Sequence, residues 1–103
     1  MPVAPHIIEA IRDAITRRVC LELAYGGHDR VVEPHVLGLG AGGIALLRAW
    51  QLRGGRTRDE ALGWKLLDLR EVAHAVATAE PAYMPRIGYR RPDPDITDVI
   101  SRI

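Results

Sequence analysis

The chain has only one cysteine, Cys20, so it cannot form an internal disulfide or build a cysteine-based metal site by itself. Its four histidines, His6, His28, His35 and His74, lack the HxxxH or HExxH spacing that brings two imidazoles to one metal. We therefore expect no metal and no cofactor. A lone thiol also suits a reducing compartment.

The chain also lacks a strong charge imbalance and long apolar runs. Its net charge is +1 and its pI is near 8.0, so charge alone does not indicate a nucleic-acid binder, and any such binding must come from local patches. No segment approaches the ~18 apolar residues of a membrane span, and the N-terminus lacks a basic start followed by a long apolar run. These absences predict a soluble, cytoplasmic protein with no membrane partner.

Candidate nucleophiles are scarce. Ser101 is the only serine, and Cys20 has no histidine beside it in sequence, so neither is an activated nucleophile. Glu33 and His35 share a strand face and could form an acid–base pair, but such pairs on strands are usually solvated. The sequence predicts a protein that is not an enzyme.

Hydrophobic spacing predicts one helix and five strands. Apolar residues recur at helical spacing over residues 7–18, and alternation predicts strands over 19–25, 30–37, 44–52, 64–69 and 72–78. Pro34 puts the second strand at an edge, an end or a bulge. Residues 53–63 mix charges without apolar periodicity, which predicts an exposed, mobile loop. Five short strands after one amphipathic helix predict a mainly β (α+β) fold, a small, strongly bent barrel in a single domain over 1–103.

Residues 79–103 have a different character. The stretch from Pro81 to Asp95 contains four prolines, which predicts an ordered but irregular arm. Asp95 is a candidate helix N-cap and is followed by apolar residues at helical spacing, so the sequence predicts a short C-terminal helix. The apolar stripe of this helix is Ile96, Val99, Ile100 and Ile103.

The strand over 44–52 is apolar but carries one arginine and one tryptophan. Alternation puts Arg48 and Trp50 on one face. A guanidinium beside an indole suits phosphates and bases, because it is always charged, offers a planar fork of donors and stacks on rings. The ordinary alternative is an arginine whose stem lies along apolar surface beside a core tryptophan.

The order of segments resembles that of WYL domains, which are small Sm-like barrels found mainly in bacterial regulators. The resemblance rests on IxxAIxxxxxV, LELAY, RVVEPHVLGL, IALLRAWQL and GWKLLDLREV, within residues 7–78. The tripeptide that names the family falls on Ile44-Ala45-Leu46 and keeps only the leucine. The resemblance implies ligand sensing in transcriptional regulation, with nucleic acids or nucleotides as ligands. A DNA-binding helix-turn-helix, common beside such domains, is not evident in the sequence, so regulation would require a partner chain or oligomerisation.

We therefore predict a non-catalytic module that binds a nucleotide or a short single-stranded nucleic acid. The residues predicted to contact the ligand are Arg30, His35, Arg48, Trp50, Trp64 and Lys65. A secondary anion patch is predicted at Arg86, Tyr89, Arg90 and Arg91, where rings alternate with cations as in single-strand binding surfaces. For this patch the alternative is that Tyr89 pins the arm and the arginines are solvated. The alternative for the whole protein is an interaction module that forms homo-oligomers through the edges of its barrel.

Overall fold

The single helix lies at the start of the chain, ahead of all the strands. The computed structural model describes residues 3–55 and 62–103. Helix α1 spans Pro5–Arg17 and buries Ile7, Ile11, Ala14 and Ile15. Pro5 fits the first turn because its missing N–H would have no intrahelical partner there, and Arg18 ends the helix with φ 57°. The predicted N-terminal helix is confirmed, beginning two residues earlier than expected.

Six strands form one antiparallel sheet in the described part of the chain, one more than predicted. They are β1 (Val19–Tyr25), β2 (His28–Leu39), β3 (Ala45–Gly54), β4 (Gly63–Asp68), β5 (Val72–Pro81) and β6 (Asp98–Arg102). Their order is β4-β3-β2-β1-β5, and β6 pairs with β2. The mainly β class is confirmed. The predicted loop over 53–63 falls mostly on residues 56–61, which lie outside the described residues.

Strand β2 organises the sheet because it pairs with three neighbours. Its first part pairs with β1 as far as Val32, its second part pairs with β6 from Val36, and β3 runs along both. The register with β3 shifts between Pro34 and Val36, so the residue without an N–H lies at a bulge, one of the positions predicted for it. His35 and Glu33 lie on the same side of β2, where both accept hydrogen bonds from Arg86.

The two faces of the sheet have different coverings. Under α1 lies the hydrophobic core, to which β1, β2, β3, β4 and β5 each contribute buried side chains. Opposite α1 lies the face that we call the arm face, which carries Glu33, His35, Arg48, Trp50 and Trp64. Residues 82–97, which we call the arm, cross this face. No helix in the described residues is long and apolar enough to cross a membrane.

The predicted C-terminal helix is wrong, because residues 98–102 form β6. The polar start of the segment does cap backbone N–H groups, but the capping residue is Asp93, whose Oδ1 accepts from the N–H groups of Asp95 and Ile96. The chain then extends, since Thr97 and Ile103 donate to β2. Gly38 permits this close approach: an added Cβ would lie 2.6 Å from Cγ2 of Ile96.

Candidate functional site

The arm face brings together side chains that lie far apart in sequence. Trp50 of β3 is directly opposite Trp64 of β4 on one side and Glu33 of β2 on the other. The two indole rings meet edge to face, with their centroids 5.5 Å apart. Arg48 lies two residues before Trp50 and therefore on the same face. Four of the predicted ligand residues, His35, Arg48, Trp50 and Trp64, thus share this surface.

Arg48 is already paired with carboxylates of the arm. Its Nε donates to Asp93 Oδ2 at 2.9 Å, and its Nη2 donates to Asp93 Oδ1 at 3.2 Å and to Asp95 Oδ2 at 2.6 Å. The Asp93 side chain is 3% exposed, whereas that of Asp95 is 52% exposed. Hydrogen bonding to Asp93 raises the pKa of Arg48. Burial would raise the pKa of Asp93, but its hydrogen bonds from Arg48 and from backbone N–H groups outweigh burial and lower it.

Glu33 and Arg86 form a second pair, with the charges reversed between sheet and arm. Glu33 is fully buried, and its carboxylate accepts from Nε and Nη2 of Arg86. It also accepts from the backbone N–H of Tyr83 at 2.6 Å. The guanidinium carbon of Arg86 lies 5.5 Å from the centroid of the Trp50 ring. Arg86, predicted in the secondary anion patch, is therefore an internal anchor of the arm.

His35 is fully buried and has both ring nitrogens hydrogen-bonded. Its Nε2 accepts from the N–H of Arg86 at 3.1 Å, which assigns the proton to Nδ1, and Nδ1 donates to the carbonyl of Glu33 at 2.8 Å. Burial lowers the pKa of His35, so the imidazole is neutral. This histidine supports the arm, and the ligand contact predicted for it would require the arm to move.

Two aromatic residues hold the arm by their polar atoms. Trp64 donates from Nε1 to the carbonyl of Ile87 at 3.0 Å, and Tyr89 donates from its hydroxyl to the carbonyl of Ile103 at 3.1 Å. Gly88 allows the turn of the arm from Ile87 to Tyr89, since its φ is 94° and an added Cβ would lie 2.8 Å from Nε1 of Trp64. Tyr89 thus ties the arm to the end of the chain, in line with the alternative given for it from the sequence.

A cleft of about 390 Å³ lies between the arm and strands β3 and β4. Its walls include two guanidinium side chains, Arg48 and Arg90, and the rings of Trp64 and Tyr89, which lie within 24° of parallel. The remaining lining residues are Gly88, Asp93, Pro94 and Asp95. Because two carboxylates oppose two arginines, the cleft is polar and not strongly cationic.

Two predicted ligand residues lie elsewhere. Lys65 pairs with Ala49 of the core, so alternation puts it on the face opposite Trp64. Arg30 is buried on that same opposite face, where its Nη1 donates to Gln51 at 3.0 Å and its guanidinium lies 5.1 Å from the Tyr25 ring. Both positions follow from period-two alternation within their strands, which the sequence already contained.

Sequence reasoning missed the carboxylates that complete the site. Asp93 was not singled out, and Asp95 was assigned to a helix cap. The available signal was Arg48 itself, because an arginine on an apolar strand needs a carboxylate partner if it is buried. Asp93 and Asp95 flank Pro94 in the proline-rich arm. Only the folded chain shows which arginine these two carboxylates meet.

Cys20, one of the two candidate nucleophiles, is not activated. Cys20 is fully buried, and burial raises its pKa to about 11. Its Sγ lies 3.7 Å from the carbonyl oxygen of Pro81. Within residues 3–55 and 62–103, no group of three or more His, Cys, Asp or Glu side chains is placed to hold a metal ion.

Comparison with family models, with curated proteins and with solved structures gave no match.

Proposed function

We propose that the protein is a non-catalytic, WYL-like ligand-binding module and that its ligand lies in the cleft between the arm and strands β3 and β4. The observation that carries this proposal is the convergence of Arg48, Arg90, Trp64 and Tyr89 on one cavity of about 390 Å³. Ligand pockets in proteins are typically about 300–1,000 Å³ and combine apolar walls with a few convergent polar groups. The cleft has that size, and it combines the aromatic rings of Trp64 and Tyr89 with charged side chains from the sheet and the arm.

The charges of the cleft limit the class of ligand. Arg48 keeps Nη1 without a hydrogen bond among the described residues, and its Nη2 shares a bond with the half-exposed Asp95. One anionic group of a ligand can replace Asp95 while Asp93 stays in place. We therefore propose a small ligand with a flat ring and a phosphate, such as a nucleotide, in preference to a long strand. A ring can stack on Trp64 or Tyr89, and Arg90 supplies a second cation.

The small Sm-like barrel is part of the same proposal. The pairing of β2 supports a barrel, because β2 pairs with β1 before the bulge that follows Pro34 and with β6 beyond it. In the regulatory role implied by the resemblance, a protein partner or a second copy of the chain would receive the ligand-bound state. Catalysis is not proposed, since His35 has both nitrogens engaged and Cys20 is buried.

Titration of the purified protein with nucleotides, followed by quenching of tryptophan fluorescence, tests this function. A nucleoside monophosphate should bind better than the matching nucleoside or inorganic phosphate alone, because only the nucleotide meets both the rings and the arginines. Arg90→Ala should weaken binding, and Asp95→Asn should strengthen it by removing the competing carboxylate. Arg12→Ala is the matched control, since Arg12 is exposed on α1.

Binding should also fall as salt rises, with a shallow slope for so few cations. If no nucleotide or oligonucleotide binds at low salt, the ligand proposal is wrong. It is equally wrong if Asp95→Asn and Arg90→Ala both bind as the unaltered protein does, because the cleft would then not be the site.

A further inference from the structure

The backbone of β1 turns every second residue towards β5. The carbonyl of Cys20 accepts a hydrogen bond from the hydroxyl of Thr78 in β5 at 2.8 Å. Tyr25 points the other way, at β2, because it lies beside the two-residue glycine turn that joins these two strands. Since backbone directions alternate along a strand, Glu22 and Ala24 direct their N–H and C=O groups at β5.

On β5, His74 and Val76 point their backbone at β1, and the residues beside them point outward. Val76 pairs with Glu22 and His74 pairs with Ala24, so these are hydrogen-bonded pairs of the β1–β5 ladder. In an extended chain, a C=O group and the next N–H group point in opposite directions. The outward groups are therefore the C=O of Ala73, the N–H and C=O of Ala75 and the N–H of Ala77. Within residues 3–55 and 62–103, β5 pairs with β1 alone.

The side chains along the outer edge of β5 do not protect it. Residues 72–78 contain no lysine, arginine, carboxylate or proline, the residues that natural sheets place on open edges. On the face away from α1, His74 is exposed and Val76 is 44% exposed. On the face under α1, Ala75 is 6% exposed because its methyl group packs in the core, whereas Ala73 is exposed. Such an uncharged edge of small and β-branched residues is suited to strand pairing.

We propose that β5 pairs with β5 of a second copy of the chain, in antiparallel orientation about a two-fold axis at Ala75. In this register, Ala75 exchanges both of its outward hydrogen bonds with Ala75 of the other copy. The N–H of Ala77 donates to the C=O of Ala73 in the other copy, and symmetry forms this bond twice. His74 lies opposite Val76 of the other copy, in a pair without backbone bonds, where side chains approach most closely. All four outward groups find partners, and no like charges meet.

The dimer is expected to be weak. One short strand edge buries much less than the ~1,200 Å² of a stable interface, so we expect a dissociation constant of roughly 0.1 mM. The contact uses β5, whereas the cleft lies between the arm and strands β3 and β4. The proposal is therefore independent of ligand binding, and each can fail without the other.

Sedimentation equilibrium of the full chain, from about 10 µM to 1 mM, tests the pairing. His74→Lys/Val76→Lys should weaken the dimer about tenfold or more, because symmetry places the like-charge contact twice. His74→Glu/Val76→Lys should dimerise at least as tightly as the unaltered protein, since opposite charges then meet across the axis. Val99→Lys is the matched control, because it adds the same charge at a similarly exposed valine of β6 and should leave the dimer intact.

A protein that stays monomeric to about 1 mM overturns the proposal. So does a His74→Glu/Val76→Lys variant that dimerises no better than His74→Lys/Val76→Lys, since the sign of the charge must matter if the two positions touch. If a double variant fails to fold by circular dichroism, Val76→Cys with a short bis-maleimide, at about 1 mM protein, decides the matter. A cross-linked dimer supports the pairing and its absence refutes it, because Cys20 is buried and does not compete.

Discussion

Replacing Asp93 should destabilise this protein, because Asp93 ties the arm to both Arg48 and its own backbone. In Asp93→Ala, Arg48 loses the two hydrogen bonds that it donates to the buried carboxylate, and the N–H groups of Asp95 and Ile96 lose their acceptor. Removing one partner of a buried ion pair costs about 3–5 kcal/mol. Arg48 retains the half-exposed Asp95, so we expect the lower end, about 3 kcal/mol.

The assay is urea unfolding followed by tryptophan fluorescence, with thermal denaturation beside it. A loss of about 3 kcal/mol should lower the melting temperature by about 12–24 °C in a domain of this size. Asp93→Asn should cost less, because the amide oxygen can still accept from the two backbone N–H groups. Asp95→Ala is the matched control and should cost about 1 kcal/mol or less, because its side chain is 52% exposed.

A double-variant cycle tests whether the pair itself is responsible. Arg48→Met leaves the Asp93 carboxylate buried with only backbone partners, so it should be destabilising too. Arg48→Met/Asp93→Ala should lose less than the sum of the two single losses, because neither charge is then left without the other. If Asp93→Ala costs no more than Asp95→Ala, the arm is not held by this contact and the reasoning is wrong.

Three further outcomes are expected. Ile11→Ala should lower the free energy of unfolding by about 2–5 kcal/mol, measured in urea, because Ile11 is fully buried under the sheet; an unchanged midpoint would contradict this. Gly38→Ala should speed amide hydrogen exchange at Ile103 by pushing β6 from β2, and equal rates would count against it. Stability should decline in two steps on acidification, because folding lowers the pKa of both His35 and Asp93. The lowered pKa of His35 favours folding fully only above the pKa of histidine in the unfolded chain, near 6.5. The lowered pKa of Asp93 favours folding fully only above the pKa of aspartate in the unfolded chain, near 4. Each contribution is lost as the pH falls from the unfolded value to the lower folded one, and His35→Gln should abolish the upper step in urea unfolding at a series of pH values.

Local patterns determined the secondary structure well where the pattern had one explanation. The spacing of isoleucines fixed α1, and alternation fixed the first five strands to within a few residues. The pattern failed at Ile96, Val99, Ile100 and Ile103, where apolar spacing fits a helix. Pairing with β2 decided for a strand, since Gly38 lets the backbone of β6 approach and the β-branched residues suit an extended chain.

The sequence by itself determined that Arg48 and Trp50 share a face, because alternation along a strand is a local property. It likewise placed Lys65 on the face opposite Trp64. Only the tertiary structure decided what covers the face that carries Arg48 and Trp50. Whether a surface arginine meets a ligand or a carboxylate of the same chain depends on contacts across 45 residues, as between Arg48 and Asp93. No local pattern contains that information, because it arises from how the arm folds back over the sheet.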